Sequence, residues 1–392
     1  MSTVTDIVFD GQLRPASDMP DRVNALLPSP CVQNHAANLH VMPDGELLCV
    51  WFGGTQEGIP DISIYLSRLA PGGEHWSEPE KVSDDPTRSE QNPILFDAGH
   101  QELWLIYTAQ QSGHQDTAIV RRRISHDGGR SWGAIESLFE RSGTFVRQPP
   151  VILENGDWIV PVFYCRKQPG ERWVGNDDIS AVLVSSDRGK SWQEHEVPDS
   201  AGCVHMNIVP LKQGGLLALY RSRWADYIYR SHSDDGRHWS VPEPTELPNN
   251  NSSIQCVALA NGDLALVYNH INAEGVTERR TSLYDDIEDS EDHGELIDQP
   301  ARHGRSAFWG VPRAPMTLAI SRDGGEHWPL RLDLETGDGY CMTNDSASRA
   351  NREYSYPTIV QGADGALHIA FTRFRQCIQY TRLPAHFEPI HS

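Results

Sequence analysis

Ser125–Trp132 reads SHDGGRSW, Ser185–Trp192 reads SSDRGKSW and Ser321–Trp328 reads SRDGGEHW. All three are Ser-x-Asp-x-Gly-x-x-Trp. A fourth copy, His232–Trp239 (HSDDGRHW), keeps Asp234, Gly236 and Trp239 with His in place of Ser. A fifth, LAPGGEHW, keeps only Gly73 and Trp76. The pattern has the chemistry of a β-hairpin turn. Asp accepts hydrogen bonds from turn amides, Gly takes a positive φ, and Trp fills the gap between adjacent sheets.

A second landmark lies between these copies: a tight turn between two apolar runs. It occurs at Pro43–Gly45, Asp97–His100, Glu154–Asp157, Lys212–Gly215, Ala260–Asp263 and Ala363–Gly365. The flanking runs (ELLCVWF, ELWLIY, WIVPVFY, LLALYRS, LALVYNH, LHIAFTR) are short and β-rich, as strands buried between sheets should be. Repeats of roughly 50 residues, each of four strands, are the mark of propeller blades. The expectation is an all-β chain: a six-bladed β-propeller of four-stranded antiparallel blades, in one domain spanning 1–392. The blades fall near 25–80, 85–140, 143–198, 201–246, 250–335 and 350–384. The N-terminal DIVFD (Asp6–Asp10) is expected to close the ring as the outer strand of the last blade, which leaves no free sheet edge. An insertion at about 272–315 in blade five carries the acidic stretch YDDIEDSEDHGE. It reads as a lid, a homo-oligomer contact or a disordered loop, with composition leaning to the last.

Lys+Arg 33 against Asp+Glu 54 gives a formal charge of −21, which argues against nucleic acid and anionic membrane surfaces as partners. An anionic substrate would need a local cluster of Arg or His to overcome that field. The opening MSTVTDIVFDG shows neither a basic n-region nor an apolar h-region, and the seven cysteines are scattered with no CxxC. Free thiols in a reducing cytoplasm, and a small glycan or glycoside as substrate, are the expectation. HxH, HExxH, GxxxxGK and GxGxxG after a strand are missing from the sequence, so no metal or nucleotide cofactor is expected.

In a propeller the innermost strand of each blade lines the axis, and its entry residues surround one mouth of the channel. The segments that fall there are Gln33-Asn34-His35, Gln91-Asn92-Pro93, Arg147-Gln148-Pro149, His205-Met206-Asn207, Ser252-Ser253-Ile254-Gln255 and Glu353-Tyr354-Ser355-Tyr356. A packed axis would be Val, Ile and Ala. Six polar segments converging on one mouth have the composition of a polar ligand pocket. Asn269 and His270, which end an apolar run of blade five, and Arg373, in FTRFR, are further candidates to contact substrate, beside Asn92, Gln148, Asn207 and Gln255.

The eight-residue repeat resembles the Asp box of sialidases and other BNR-repeat proteins, and the resemblance covers nearly the whole chain. It implies a carbohydrate-active enzyme. Sialidases begin the first inner strand with Arg-Ile-Pro ten residues ahead of the turn glycine; here His35 stands ten before Gly45. They carry a Glu sixteen residues before a substrate-binding Arg; here His205 lies sixteen before Arg221. Their nucleophilic Tyr begins the last blade in a Tyr-Ser element. The match is Tyr354-Ser355, with Tyr356 as competitor. Their acid/base Asp lies in the loop after the first blade's second strand, where this chain offers Glu57 and Asp61. One Arg and the Glu are therefore replaced by His, the carboxylate-binding arginine triad is incomplete, and ordinary sialic acid cleavage is not the expectation.

The implied mechanism has Tyr354 or Tyr356 attacking the anomeric carbon. His205 takes the phenol's proton, and Asp61 or Glu57 protonates the leaving oxygen. Arg221, with Arg147, Arg373 or His35, orients the sugar. The same residues suit a lyase that pairs a His or Tyr base with Arg on a uronate. A third reading is a non-catalytic glycan-binding propeller.

Overall fold

The repeated turns join the third and fourth strands of successive blades. The computed structural model describes residues 8–17, 19, 21–284, 287 and 304–385. Two short strands come first, β1 (Arg14–Pro15) and β2 (Val23–Leu26). Blade one is β3 (Gln33–Val41), β4 (Leu47–Gly54), β5 (Ser63–Leu69) and β6 (Glu80–Lys81). Blade two is β7 (Ser89–Gly99), β8 (Glu102–Gln111), β9 (His114–Ser125) and β10 (Glu136–Phe139). In blade three the inner strand is split into β11 (Thr144–Phe145) and β12 (Val151–Ile152), followed by β13 (Trp158–Tyr164), β14 (Ile179–Ser185) and β15 (Gln193–Glu196). Blade four is β16 (Cys203–Pro210), β17 (Leu216–Ser222), β18 (Tyr227–Ser233) and β19 (Glu243–Pro248). Blade five is β20 (Gln255–Ala258), β21 (Leu264–Asn269), β22 (Met316–Ser321) and β23 (Leu330–Glu335). Blade six is β24 (Tyr354–Gln361), β25 (Leu367–Arg373) and β26 (Cys377–Leu383), completed by β2 from the N-terminus. The result is an antiparallel six-bladed propeller whose last blade is closed by N-terminal sequence.

The closing strand is not the one expected. Val23–Leu26 pairs with β26, from Val23 opposite Arg382 to Leu26 opposite Gln379, and β1 pairs outside it. Of DIVFD, Asp6 and Ile7 lie outside the described residues, and Val8–Asp10 is not strand. Val23–Leu26 wins because Ala25 and the following Leu27 bury against Tyr380 and Trp76 between blades six and one. Gly11 then ties the chain down, donating to Leu26 O and accepting from Trp76 N.

The repeat does what its chemistry dictates. Ser125 Oγ accepts from Gly129 N at 2.7 Å, and Asp127 Oδ1 accepts from Arg130 and Ser131 N at 3.0 and 2.8 Å. The second copy repeats all three bonds, and the third repeats those from Gly325 N and His327 N. The fourth copy is one residue shorter than the sequence alignment assumed. Ser233 and Asp235, not His232 and Asp234, bond the turn amides of Gly236, Arg237 and His238.

Six apolar clusters fill the six gaps between neighbouring blades, and the box tryptophans enter five of them. Trp132 packs between blades one and two, Trp192 between two and three, and Trp239 between three and four. Trp328 lies between four and five, and Trp76 between six and one. Blade six has no box, and the gap between blades five and six has no such Trp. Burying an indole as completely as Trp76 or Trp328 contributes on the order of 4 kcal/mol.

Candidate functional site

The mouth is shaped by one backbone device used four times. On β3, β7, β16 and β24 the pairing register shifts at the mouth, so that two residues face one on the neighbouring strand. The first residue of each extra pair has a positive φ: Ala36 at 61°, Asn92 at 51°, His205 at 54° and Tyr356 at 52°. Left-handed backbone is disfavoured for His and Tyr, and such outliers cluster where a side chain must be re-aimed. Here the bulge turns Tyr356 out of the alternation that governs Tyr354, although the two are two residues apart. Tyr354 packs on Phe371 and Phe374 in the cluster between blades five and six. Tyr356 instead faces the mouth.

Tyr356 is the hub. Arg221 Nη1 donates to its hydroxyl at 2.6 Å. The ring centroids of His35 and His205 lie 4.1 and 5.7 Å from its own. The guanidiniums of Arg147, Arg221 and Arg313 stand 5.4, 5.6 and 5.6 Å from the ring. Arg313 donates to Glu353 at 2.7 Å, Arg375 donates to the other oxygen of Glu353 at 2.5 Å, and Arg375 also pairs with Glu57. Asn251 Oδ1 accepts from Arg221 Nε at 2.8 Å and fixes that guanidinium.

Electrostatics at the mouth follow from burial and crowded cations. Burial, reinforced by Arg375, Arg313, Arg147 and Arg221, pushes His35 well below the ordinary imidazole range. Burial, then Arg221, Arg223, Arg147 and Arg313, does the same to His205, so both rings are neutral at pH 7. Burial lowers Arg221 to about 9 and Arg147 to about 10. Burial alone would raise Glu353, but Arg375 and Arg313 outweigh it and hold the carboxyl at about 2. Four guanidiniums (Arg147, Arg221, Arg313, Arg375) thus face two carboxylates (Glu57, Glu353), a local positive excess in a chain of net charge −21.

The remaining sequence candidates divide. Arg147 spans the axis, donating to the carbonyls of Ala37, Tyr356 and Pro357 at 3.0, 3.2 and 3.2 Å and to Ser253 Oγ at 3.2 Å. It braces the backbone that carries Tyr356. Asn207, Gln148 and Gln255 are taken up in closing the ring. Asn207 accepts from Cys256 N, Gln148 donates to Ile254 O and accepts from Gln255, and Gln255 accepts from Ile359 N. Asn38 and Thr358 make matching bonds to Leu95 and Leu39 N. Asn269 is likewise structural, donating to Pro315 O and Tyr354 O. His270 pairs with Tyr268, and Arg373 with Gln379 beside Tyr354; neither contacts the hub. Asp61 is exposed and accepts from Thr55 N at 3.1 Å, so of the two loop acids only Glu57 is tied to the mouth network.

His205 also takes a different part from the base expected of it. Its Nε2 lies 3.4 Å from Arg221 Nη1, and a guanidinium only donates. Nε2 is therefore the acceptor, the ring proton sits on Nδ1, and that N–H is buried without a partner. His35 Nδ1 meets Thr372 Oγ1 at 2.8 Å and leaves Nε2 buried and unpartnered.

Sequence reasoning missed Arg313, Arg375, Glu353, Thr372 and Asn251. Glu353 lies in a mouth segment, beside the tyrosines that carry the sequence signal. Arg375 stood in FTRFR, where Arg373 was chosen; Phe374 and Arg375 both have positive φ, at 54° and 57°, and the turn they make swings Arg375 inward. Arg313 closes the blade-five insertion, where no periodicity pointed to it.

Away from the hub, Glu90 is fully buried between blades one and two, with Ser83 Oγ donating at 2.5 Å and Arg121 Nη1 at 3.6 Å. Burial raises its carboxyl from the ordinary 4.5 to about 7. A raised carboxyl binds its proton more tightly in the fold, so stability falls as pH rises from about 4.5 to about 7. Glu90→Gln should therefore be the more stable form above pH 7, by up to about 3 kcal/mol, with the advantage gone below 4.5. Denaturant titrations on both sides of that window check this, and an advantage independent of pH contradicts it.

The six-bladed ring and its box turns are those of the BNR-repeat propeller class. Within it, this chain belongs to the BNR repeat-like domain family, whose profile matches residues 45–369. By sequence, comparison with curated proteins returned no match. Among solved structures, the Hadza microbial sialidase Hz136 is similar with a TM-score of 0.66 at 14% identity, over 90% of this chain and 66% of that one. A protein of unknown function from Dyadobacter fermentans DSM 18053 gives 0.65 at 15%, over 93% and 99%. The intramolecular trans-sialidase from Ruminococcus gnavus, in complex with oseltamivir carboxylate, gives 0.63 at 12%, over 92% and 96%. At these identities the likeness establishes the fold. Among the described residues no group of three His, Cys, Asp or Glu is placed to hold a metal ion.

Proposed function

We propose that this protein is an exo-acting glycoside hydrolase of sialidase-like mechanism, acting on a small anionic glycan with Tyr356 as nucleophile. The observation that carries the reading is the 2.6 Å bond from Arg221 to the Tyr356 hydroxyl, inside a ring of cations and neutral imidazoles. A phenol must lose its proton to attack, and adjacent guanidiniums stabilise the charge that develops on its oxygen. In this reading Tyr356 Oη bonds to the anomeric carbon as the bond to the aglycone oxygen breaks. The phenol proton passes to solvent. Glu57 leaves Arg375, takes up a proton from solvent and passes it to the departing oxygen. Water then releases the sugar. The positive excess at the mouth supports an anionic substrate.

A second reading, β-elimination on a uronate, is supported by the guanidiniums of Arg147, Arg221 and Arg313 around Tyr356, which could neutralise a uronate carboxylate. There the phenolate would take the proton at C5, the C4–O bond would break, and an arginine would neutralise the carboxylate. A panel of aryl sialosides, uronides and deoxy-glycosides tests both. Release of the aryl alcohol with an intact sugar supports the hydrolase, and a new C4–C5 double bond seen by ultraviolet absorbance and NMR supports the lyase. No turnover across the panel counts against both.

A further inference from the structure

Beside the hub, one phenol holds three amides. Tyr284, on the blade-five insertion, is fully buried, and its hydroxyl lies 3.1 Å from Gln110 Nε2, 3.1 Å from Gln115 Nε2 and 3.4 Å from Gln91 Nε2. Gln110 Oε1 is 3.4 Å away on the same oxygen. A phenol oxygen accepts at most two hydrogen bonds and donates one, so the three amides offer more than Tyr284 can use. Gln91 keeps a second bond to Ser89 Oγ at 3.0 Å, and Gln115 Oε1 faces Cys165 Sγ at 3.5 Å. Gln91 and Gln115 are therefore held in place by the propeller itself.

Their position ties them to the mouth. Gln91 directly precedes the bulge residue Asn92 on β7. The ring of Tyr284 lies on Gly58, where an added Cβ would come within 2.7 Å of it, and Gly58 follows Glu57. A recess lined by His114, Asp116, Arg172, Trp173 and Ser282 opens alongside Tyr284, and Ser282 Oγ is buried without a partner. The three carboxamides around the phenol, with this indole and hydroxyl alongside, suit the hydroxyls of a sugar ring once the phenol leaves.

We infer that Gln91, Gln110 and Gln115 form a second sugar subsite, for the residue next to the one held at Tyr356, and that the Tyr284 hydroxyl occupies it here as an internal stand-in. The inference rests on reading the mouth as a sugar site. Every hub side chain is at most 7% exposed, so a sugar reaches the hub only if neighbouring side chains move aside, and Tyr284, packed on Gly58 next to Glu57, is one of these. Binding a sugar then costs the displacement of Tyr284, and removing its hydroxyl lowers that cost.

The test is ¹⁹F NMR of the full chain carrying 3-fluorotyrosine at position 284, with maltotriose, chitotriose, trigalacturonate and 3′-sialyllactose as probes, and turnover of each probe followed in parallel. The expected result is that at least one probe moves the resonance from a buried to a solvent-exposed position. That shift should be lost in Gln110→Leu/Gln115→Leu. Tyr284→Phe keeps the ring on Gly58 and should bind the same probe several-fold more tightly. A resonance unmoved by all four probes overturns the subsite, even if one of them is turned over. A resonance that moves with no probe turned over supports the subsite and counts against the hydrolase. A shift that persists in the double Leu variant assigns the displacement elsewhere and overturns the proposal.

Discussion

Tyr356→Phe is expected to lower kcat/KM on any accepted glycoside by about a thousandfold or more, with the fold intact. The variant keeps the aromatic ring that packs against His35 and Arg147 and removes only the oxygen that Arg221 contacts. Its structural cost is one buried donor without an acceptor, about 1–2 kcal/mol. Activity and stability therefore separate. Tyr354→Phe supplies the contrast: its ring stays between blades five and six, and turnover should remain close to that of the parent. Comparable losses in both variants would mean that the bulge does not select between them.

The second large effect is on stability. Arg375 is 3% exposed and binds Glu353 and Glu57 together. Arg375→Met should cost about 3–5 kcal/mol, because it strands buried carboxylates rather than because the ion pair is worth that much. Adding Glu57→Gln should recover part of the loss, and no recovery would contradict the network. The pH dependence follows from Glu353. Its carboxyl is held at about 2 against an ordinary 4.5, so the stability it contributes is present above 4.5 and is lost as pH falls towards 2. Glu353→Gln should flatten that limb of the stability–pH curve measured by denaturant titration.

The blades were legible because their signals are local. A Ser, an Asp and a Gly within five residues build a turn wherever they occur, and the following Trp lies in the gap beside its own blade. The mouth was legible only as a set of segments. His205 and Arg221 were paired by spacing, and they do meet, because a hairpin brings residues sixteen apart to the same end of β16 and β17. The choice between Tyr354 and Tyr356 was beyond simple alternation, which gives both the same face. The bulge that separates them needs a neighbouring strand to define it. Arg313 and Arg375 escaped for a related reason, since one ends an insertion and the other lies in a turn, and neither has a period to read. Gln148, Asn207 and Gln255 look like ligand contacts in sequence. They are spent on joining blade to blade, because the innermost strands have backbone groups that no ladder reaches: Asn207 and Gln255 accept from such amides, and Gln148 donates to such a carbonyl.

Peptide mass mapping after reaction with a fluorinated glycosyl fluoride of the accepted sugar tests the central assignment most directly, since the fluorine slows breakdown of a glycosyl-enzyme. A mass increase equal to the fluorosugar on the peptide containing Tyr356, absent from Tyr356→Phe, is the predicted result. The same increase on Glu57 or on Tyr354, or none at all in an enzyme that turns the sugar over, would contradict it.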